Sequence, residues 1–248
     1  MKKIIYLIYQ ILFGLPIAIV LTVFTALTTI IGGIFGNSRF WGYYPGKLWG
    51  KLVCWTFLLP VKVKGYENIV KGQSYIIVAN HQGAFDIFLM YGFVGINFKW
   101  LMKKELERFP MIGPACKMAG HIFIDRESPK GSQESLKIAS NVLKNGVSVI
   151  IFPEGTRSTD GTMGKFKKGA FQLAEELQLP LLPVTINGSY AVMPKKSTSL
   201  NWHRMNIIIH PPIPAKGLDN KNEEEIIEQM RASSAEAYSA ISSGLESY

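Results

Sequence analysis

From Ile4 to Ser38 the chain carries no charged side chain. Such a run cannot lie at the surface of an ordinary water-soluble domain. As one helix it would extend roughly 50 Å at ~1.5 Å per residue, against a bilayer hydrocarbon core of about 30 Å. Gly14-Leu15-Pro16 and Gly32-Gly33 are the natural places for it to bend or stop. A cleaved secretory signal is a poor fit, because the run is too long and no A-x-A-like site closes it. A second segment, Arg39 to Pro60, mixes Trp41, Tyr43, Tyr44, Trp49, Trp55 and Phe57 with Arg39, Lys47 and Lys51, a composition suited to the headgroup region. One transmembrane helix and a two-helix hairpin both remain open. Charge favours the hairpin. Lys2 and Lys3 precede the apolar run, and Arg39, Lys47, Lys51, Lys62 and Lys64 follow it, so a simple span would send one basic cluster outside. Residues 1–60 therefore read as a two-helix monotopic anchor, on the cytoplasmic face of the cell's inner membrane, and 61–248 as the folded domain it carries.

The formal net charge of +9 and positive mean hydropathy of +0.15 point the same way. A basic surface attracts polyanions, and a basic, greasy chain suits a membrane surface better than nucleic acid. Cys54 and Cys116 can form at most one bridge, and both read as reduced thiols in a cytosolic setting.

Beyond Val61, short apolar runs alternate with helical patterns. Strands are expected at Val61–Lys64, Tyr75–Asn80, Phe98–Met102, Ile122–Asp125, Val147–Phe152, Leu181–Ile186 and Met205–His210. Helices are expected at Phe85–Phe93, Gln133–Asn145, Phe166–Gln178 and Glu223–Ser242. The alternation predicts an α/β fold: a mixed, largely parallel sheet flanked by helices, with the N-terminal helical membrane anchor attached.

Polar residues gather where these strands end. In an open α/β sheet, ligands bind beyond the carboxyl ends of strands. Asn80-His81-Gln82-Gly83-Ala84-Phe85-Asp86 follows the second expected strand and sets an imidazole and a carboxylate five residues apart. The carboxylate can hold one ring nitrogen while the other faces a substrate: the base and orienter of a triad without its serine. The missing nucleophile implies a substrate that brings its own hydroxyl. Phe152-Pro153-Glu154-Gly155-Thr156-Arg157-Ser158 follows the fifth strand. Its turn would project Glu154 and Arg157 into one space, with Gly155, Thr156 and Ser158 as further donors, and arginine grips phosphate bidentately. Asp125-Arg126 ends the fourth strand, and Arg126 is a second phosphate candidate. One of Lys103 and Lys104 should face the same basin, since neighbours on an extended segment point opposite ways. Pro183 and Val184 lie in an apolar stretch that either lines an acyl channel or forms a core strand.

Several classes lack their signatures. There is no Gly-x-Ser-x-Gly elbow, no P-loop, no G-x-G-x-x-G and no H-E-x-x-H, and the four histidines are scattered without paired cysteines, so neither a metal nor another resident cofactor is expected. A non-catalytic basic protein of the membrane surface would explain charge and anchor, but not His81 with Asp86.

Asn80-His81-x4-Asp86 (the HX4D pattern), Gly120-x-Ile122-Phe123-Ile124-Asp125-Arg126, Phe152-Pro153-Glu154-Gly155-Thr156-Arg157-Ser158 and Leu182-Pro183-Val184 occur in this order. They resemble the four sequence blocks of the glycerophospholipid acyltransferase family, most closely its bacterial 1-acyl-sn-glycerol-3-phosphate acyltransferases. Pro110-x2-Gly113-Pro114 and Phe166-Lys167-Lys168-Gly169-Ala170-Phe171 also look like that family, and the resemblance spans Val61 to Pro212. It implies a membrane-bound enzyme of phospholipid biosynthesis that acylates the 2-hydroxyl of lysophosphatidic acid to give phosphatidic acid. His81 would be the base and Asp86 its orienter. Glu154, Gly155, Thr156 and Arg157 would hold the acceptor, with Arg126 and Lys103 or Lys104 assisting. The co-substrate would be acyl-ACP or acyl-CoA, and glycerol 3-phosphate or another lysolipid is the alternative acceptor.

The chemistry is also sound on its own terms. A thiol with a pKa near 8.5 leaves a thioester readily, so the alcohol is the partner that needs a base, and one well-placed histidine supplies roughly 10²–10⁴ in rate. The oxyanion needs donors as well; backbone N–H groups near Gly83 or Gly155 are the candidates.

Overall fold

The structure is a computed structural model and describes residues 2–124, 138–143, 146–216 and 224–232. All seven expected strands are present: β1 (Val61–Lys64), β2 (Ile76–Ala79), β3 (Phe98–Lys103), β4 (Ile122–Ile124), β5 (Ser148–Ile151), β6 (Leu181–Asn187) and β7 (Met205–Ile209). They form one sheet in the order β1-β7-β6-β2-β5-β3-β4. Every neighbouring pair is parallel except β6 with β7. The carboxyl ends of β2, β3, β4, β5 and β6 therefore share one edge. The central strands are apolar and buried along their whole length, as parallel strands covered on both faces must be.

Strand alternation divides the core in two. Ile77, Ala79, Ile150, Val184 and Ile186 point to one face, where helices α4 (Tyr44–Thr56) and α5 (Asp86–Phe93) supply Val53, Cys54, Leu89 and Met90. Ile76, Val78, Val149, Ile151 and Leu181 point to the other, against α7 (Gly169–Leu177) and the helical residues 138–142 and 224–232. Fully burying one such side chain is worth about 1.5–3 kcal/mol, so these two layers dominate the stability of the fold.

Three expected helices shift or fall short. The third begins at Gly169 rather than Phe166, because the Lys167 N–H donates to the Pro153 carbonyl (3.0 Å) and holds this stretch to the loop after β5. The helices expected at Gln133–Asn145 and Glu223–Ser242 lie partly outside the described residues. Helix α6 (Ile112–Met118) was not anticipated; its Gly113-Pro114 pair reads as a turn, yet proline fits a first helical turn, where its missing N–H has no partner to lose.

The N-terminal region is helical from α1 (Lys2–Tyr9) through a π-turn (Gln10–Gly14) into α2 (Leu15–Ile34), and the short α3 (Ser38–Trp41) follows. Residues Lys3–Ile34 form one helix long and apolar enough to cross a membrane, with only 11% of its most apolar window buried. Its inner face is small and polar. A Cβ at Gly14 would come within 2.6 Å of the Phe57 ring, and one at Gly33 within 2.8 Å of Met118. Tyr6 and Tyr9 donate to the carbonyls of Phe57 (2.7 Å) and Thr56 (2.8 Å), and Trp49 donates to Thr22 (3.0 Å). Ile5, Leu12, Val20, Phe24 and Ile31 point outward, each at least half exposed. Tyr43, Val53, Cys54, Phe57 and Leu59 belong to the same core as β2 and α5. A division at residue 60 therefore runs through one continuous core.

Candidate active site

β2 ends at Ala79, and the next residues turn across the carboxyl edge of the sheet. Asn80, fully buried, exchanges two hydrogen bonds with Ile186: its Nδ2 donates to the Ile186 carbonyl (2.8 Å) and its Oδ1 accepts the Ile186 N–H (2.7 Å). The side chain thus pairs with β6 where the backbone leaves the sheet, and fixes where His81 emerges. Asp86 opens α5 and is fully buried. Its Oδ2 faces His81 Nδ1 at 2.7 Å and accepts the backbone N–H groups of Gln82 (2.7 Å) and Gly83 (3.0 Å). Its Oδ1 accepts from the Ser189 hydroxyl.

This donor set assigns the imidazole tautomer. An ionised carboxylate only accepts, so His81 Nδ1 carries the proton and Nε2 presents a lone pair. The His81 side chain keeps 16% of its surface exposed, so a substrate can reach it. The ring stacks on Phe152, with centroids 4.0 Å apart and planes 6° from parallel, and Phe152 in turn packs on Trp100 at 5.4 Å.

The loop after β5 clasps His81 from both sides of its backbone. Glu154 Oε1 accepts the His81 N–H (2.6 Å), and the Ser158 N–H donates to the His81 carbonyl (2.8 Å). Glu154 Oε2 accepts the Gly164 N–H (2.8 Å). Burial pushes the Glu154 carboxyl above its ordinary value, against the pull of those two hydrogen bonds. Glu154 thus braces the loop and the histidine with both oxygens. Gly155 sits at φ +75, a conformation glycine adopts without steric cost.

Arg157 is partly buried beside the clasp and forms no ion pair with any described residue. Thr156 is exposed, and its Oγ1 accepts from Lys195 Nζ at 2.8 Å. Lys195 is a further cation at this rim, one that no motif in the sequence marks. Lys103 ends β3 on the face of Leu101, opposite the one that Met102 shares with the His81 side of the sheet. Lys104 starts a 3-10 turn and is exposed. Arg126 lies outside the described residues. Pro183 and Val184 are buried in β6, in register with Val78 and Ala79, and so occupy the core-strand alternative.

A cavity of about 280 Å³ instead opens between the sheet and α7, lined by Leu101, Ile124, Ile151, Phe152, Ala170 and Leu173. Phe152, which also stacks on His81, forms the wall between them. Of the N–H groups in the two stretches expected to supply oxyanion donors, those of the glycines themselves are engaged: the Gly83 N–H donates to Asp86, and the Gly155 N–H to the Phe152 carbonyl (3.0 Å).

The chain is 35% identical over 193 residues to the chloroplastic 1-acyl-sn-glycerol-3-phosphate acyltransferase LPAT1 of Arabidopsis thaliana, covering 76% of this chain and 54% of that one. It is 31% identical over 183 residues to the human 1-acyl-sn-glycerol-3-phosphate acyltransferase alpha, covering 73% and 65%. The chain thus spans about half the length of the plant relative and less than two thirds of the human one. The crystal structure of the 1-acyl-sn-glycerophosphate (LPA) acyltransferase PlsC from Thermotoga maritima superposes with a TM-score of 0.82 at 29% identity, covering 96% of this chain and 98% of that one. The Acyltransferase family model matches residues 60–187, just over half of the 248 residues and all of the loops that carry His81, Asp86 and Glu154. The chain belongs to the acyltransferase family.

Proposed function

We propose that this protein transfers a fatty acyl group from a thioester donor, acyl-ACP or acyl-CoA, to the 2-hydroxyl of 1-acyl-glycerol 3-phosphate. The observation that carries the reading is the His81 Nδ1–Asp86 Oδ2 contact of 2.7 Å at the carboxyl edge of the sheet. It leaves Nε2 as the base. The acceptor hydroxyl attacks the thioester carbonyl while Nε2 takes its proton. The tetrahedral intermediate collapses, the C–S bond breaks, and the thiolate recovers the proton from the imidazolium. Asp86 steadies the imidazolium throughout. Arg157 and Lys195 are the cations placed to hold the acceptor phosphate, and the cavity behind Phe152 suits the donor's acyl chain.

The relatives' names carry the same acceptor, which supports the reading. So does the anchor. The N-terminal helix flanks the folded domain from Tyr6, bonded to Phe57, to Gly33, packed on Met118. That stretch is roughly 40 Å long, so a helix spanning about 30 Å of hydrocarbon would draw the sheet domain into the bilayer with it. An in-plane helix, buried in one leaflet with its outward face in the lipid, avoids this. We place the protein on the cytoplasmic face, where the site meets a lysolipid whose tail stays in the leaflet.

The test is acyl transfer by membranes or detergent-solubilised protein, with lysophosphatidic acid against glycerol 3-phosphate, each with both donors. Transfer to lysophosphatidic acid that disappears in His81→Ala is the expected result. Turnover of glycerol 3-phosphate alone would move the protein to the earlier acylation step. No transfer at all would leave a non-catalytic membrane-surface protein.

A further inference from the structure

The Asp86 carboxylate has a partner outside all four sequence blocks, the Ser189 hydroxyl, which donates to Oδ1. Three donors converge on Oδ2: His81 Nδ1 and the N–H groups of Gln82 and Gly83. The Ser189 hydroxyl adds a hold on the other oxygen, so that rotation about the Cβ–Cγ bond, which would move the atom that aims the imidazole, is opposed at both ends of the carboxylate. We infer that Ser189 is a positioning residue of the His81–Asp86 pair. The inference rests on the acyltransferase reading above and deepens it.

The surroundings give Ser189 the rigidity this role needs. Ser189 and Asp86 are each 0% exposed, so solvent cannot replace the hydroxyl. Ser189 opens the short helix α8 (Ser189–Val192) directly after β6, behind Gly188 at φ +87. A Cβ on Gly188 would strike the Arg204 carbonyl, so only glycine allows the chain to turn there. On the other side, a Cβ on Gly83 would come within 2.5 Å of the Ser189 carbonyl. The Ala84 N–H donates to the Met193 carbonyl (3.3 Å), and the Met193 N–H to the Ser189 carbonyl (3.0 Å). The turn holding His81 and the helix holding Ser189 are therefore packed backbone to backbone, with Gly83 removing the side chain that would separate them. Chemistry completes the argument. An oxygen of a buried carboxylate stripped of its donor is costly, whereas a residue kept only for packing would need no hydroxyl.

Ser189→Ala tests the inference. The alanine variant should lose about 10- to 100-fold in kcat, the equivalent of one hydrogen bond to a charged group, with KM for donor and acceptor changed less than about twofold. In an Asp86→Asn background the same substitution should cost less than about threefold, because its target is already gone. A full, additive loss in that background would assign Ser189 to packing and overturn the inference, as would wild-type kcat in the single variant. A second readout does not depend on turnover. The His81 Nδ1 proton should give a low-field NMR resonance in the wild type that broadens or moves in Ser189→Ala; an unchanged resonance overturns the inference even if the wild type proves inactive, an outcome that separately removes the proposed reaction. Should the alanine variant fail to accumulate, Ser189→Cys, with nearly the same volume and a weaker donor, replaces it and should show an intermediate kcat; wild-type kcat there would sink the idea.

Discussion

Glu154 holds His81 by its backbone: Oε1 accepts the His81 N–H at 2.6 Å while Oε2 accepts the Gly164 N–H at 2.8 Å. A residue expected to grip substrate has both oxygens engaged by the protein. Glu154→Gln then becomes a sharp probe. The amide brings donors where an acceptor is required, so one backbone N–H must lose its partner at a cost of about 1–3 kcal/mol. We expect a lower thermal midpoint and reduced kcat, with KM for both substrates nearly unchanged. A selective rise in acceptor KM would return Glu154 to the role of a substrate ligand.

Arg157 should behave in the opposite way. Its guanidinium is partly buried at the rim, without an ion pair among the described residues. Removing it leaves the His81 clasp intact. Arg157→Ala should raise KM for the phosphorylated acceptor by about tenfold or more, with little change in donor KM. Arg157→Lys should recover only part of this, since a point charge replaces a bidentate fork. Lys195→Ala, across the loop contact to Thr156, should give a smaller effect of the same kind. Equal rises for donor and acceptor in steady-state kinetics would argue against a phosphate clamp.

The anchor calls for a gentler change than truncation at residue 60. Tyr43, Val53, Cys54 and Phe57 are core residues, so that deletion would damage the fold and report nothing about membranes. Val20 and Phe24, 66% and 64% exposed on the outer face of α2, can be changed without touching the core. Val20→Glu with Phe24→Glu should leave the secondary structure by circular dichroism unchanged and move the protein out of the membrane pellet. Charge at hydrocarbon depth costs about 2–3 kcal/mol per residue, and less near the interface. Unchanged sedimentation with membranes would contradict lipid contact on that face.

The sheet was legible in the sequence because its strands are short, apolar and bounded by turn residues, and because each motif falls at a strand end. His81 and Asp86 were legible as a pair for the same reason: one follows a strand, and the other opens a helix. What sequence could not supply was the partition of roles around them. Whether Glu154 faces solvent or a backbone N–H depends on how the loop after β5 folds back on His81, a long-range contact that spacing does not encode. Ser189 lies directly behind Asn187-Gly188, a turn visible in the sequence, yet its contact with Asp86 joins residues 103 apart. Pro183 and Val184 belonged equally to a channel or a core strand by composition; pairing with Val78 and Ala79 decides between them.

The last expectation concerns Lys99, which is 3% exposed and donates to the carbonyls of Ala119 (2.6 Å) and Ser38 (3.2 Å). It ties β3 to the segments that follow α2 and α6, at the Gly33–Met118 end of the anchor contact. Burial pulls its pKa down from 10.5 to about 8. The unfolded chain therefore binds this proton more tightly than the folded one, and between pH 8 and 10.5 stability from this group rises as pH rises. The full span is worth ~3 kcal/mol. Tyr43 and Tyr91, whose burial raises their pKa values, oppose the trend above pH 10, where they would ionise only on unfolding. Comparison with Lys99→Met cancels their contribution. In denaturant titrations at pH 7.5, 8.5 and 9.5, the wild type should gain stability relative to Lys99→Met at each step. A difference that stays constant across these three conditions would mean that the ammonium is solvated rather than buried between those two carbonyls.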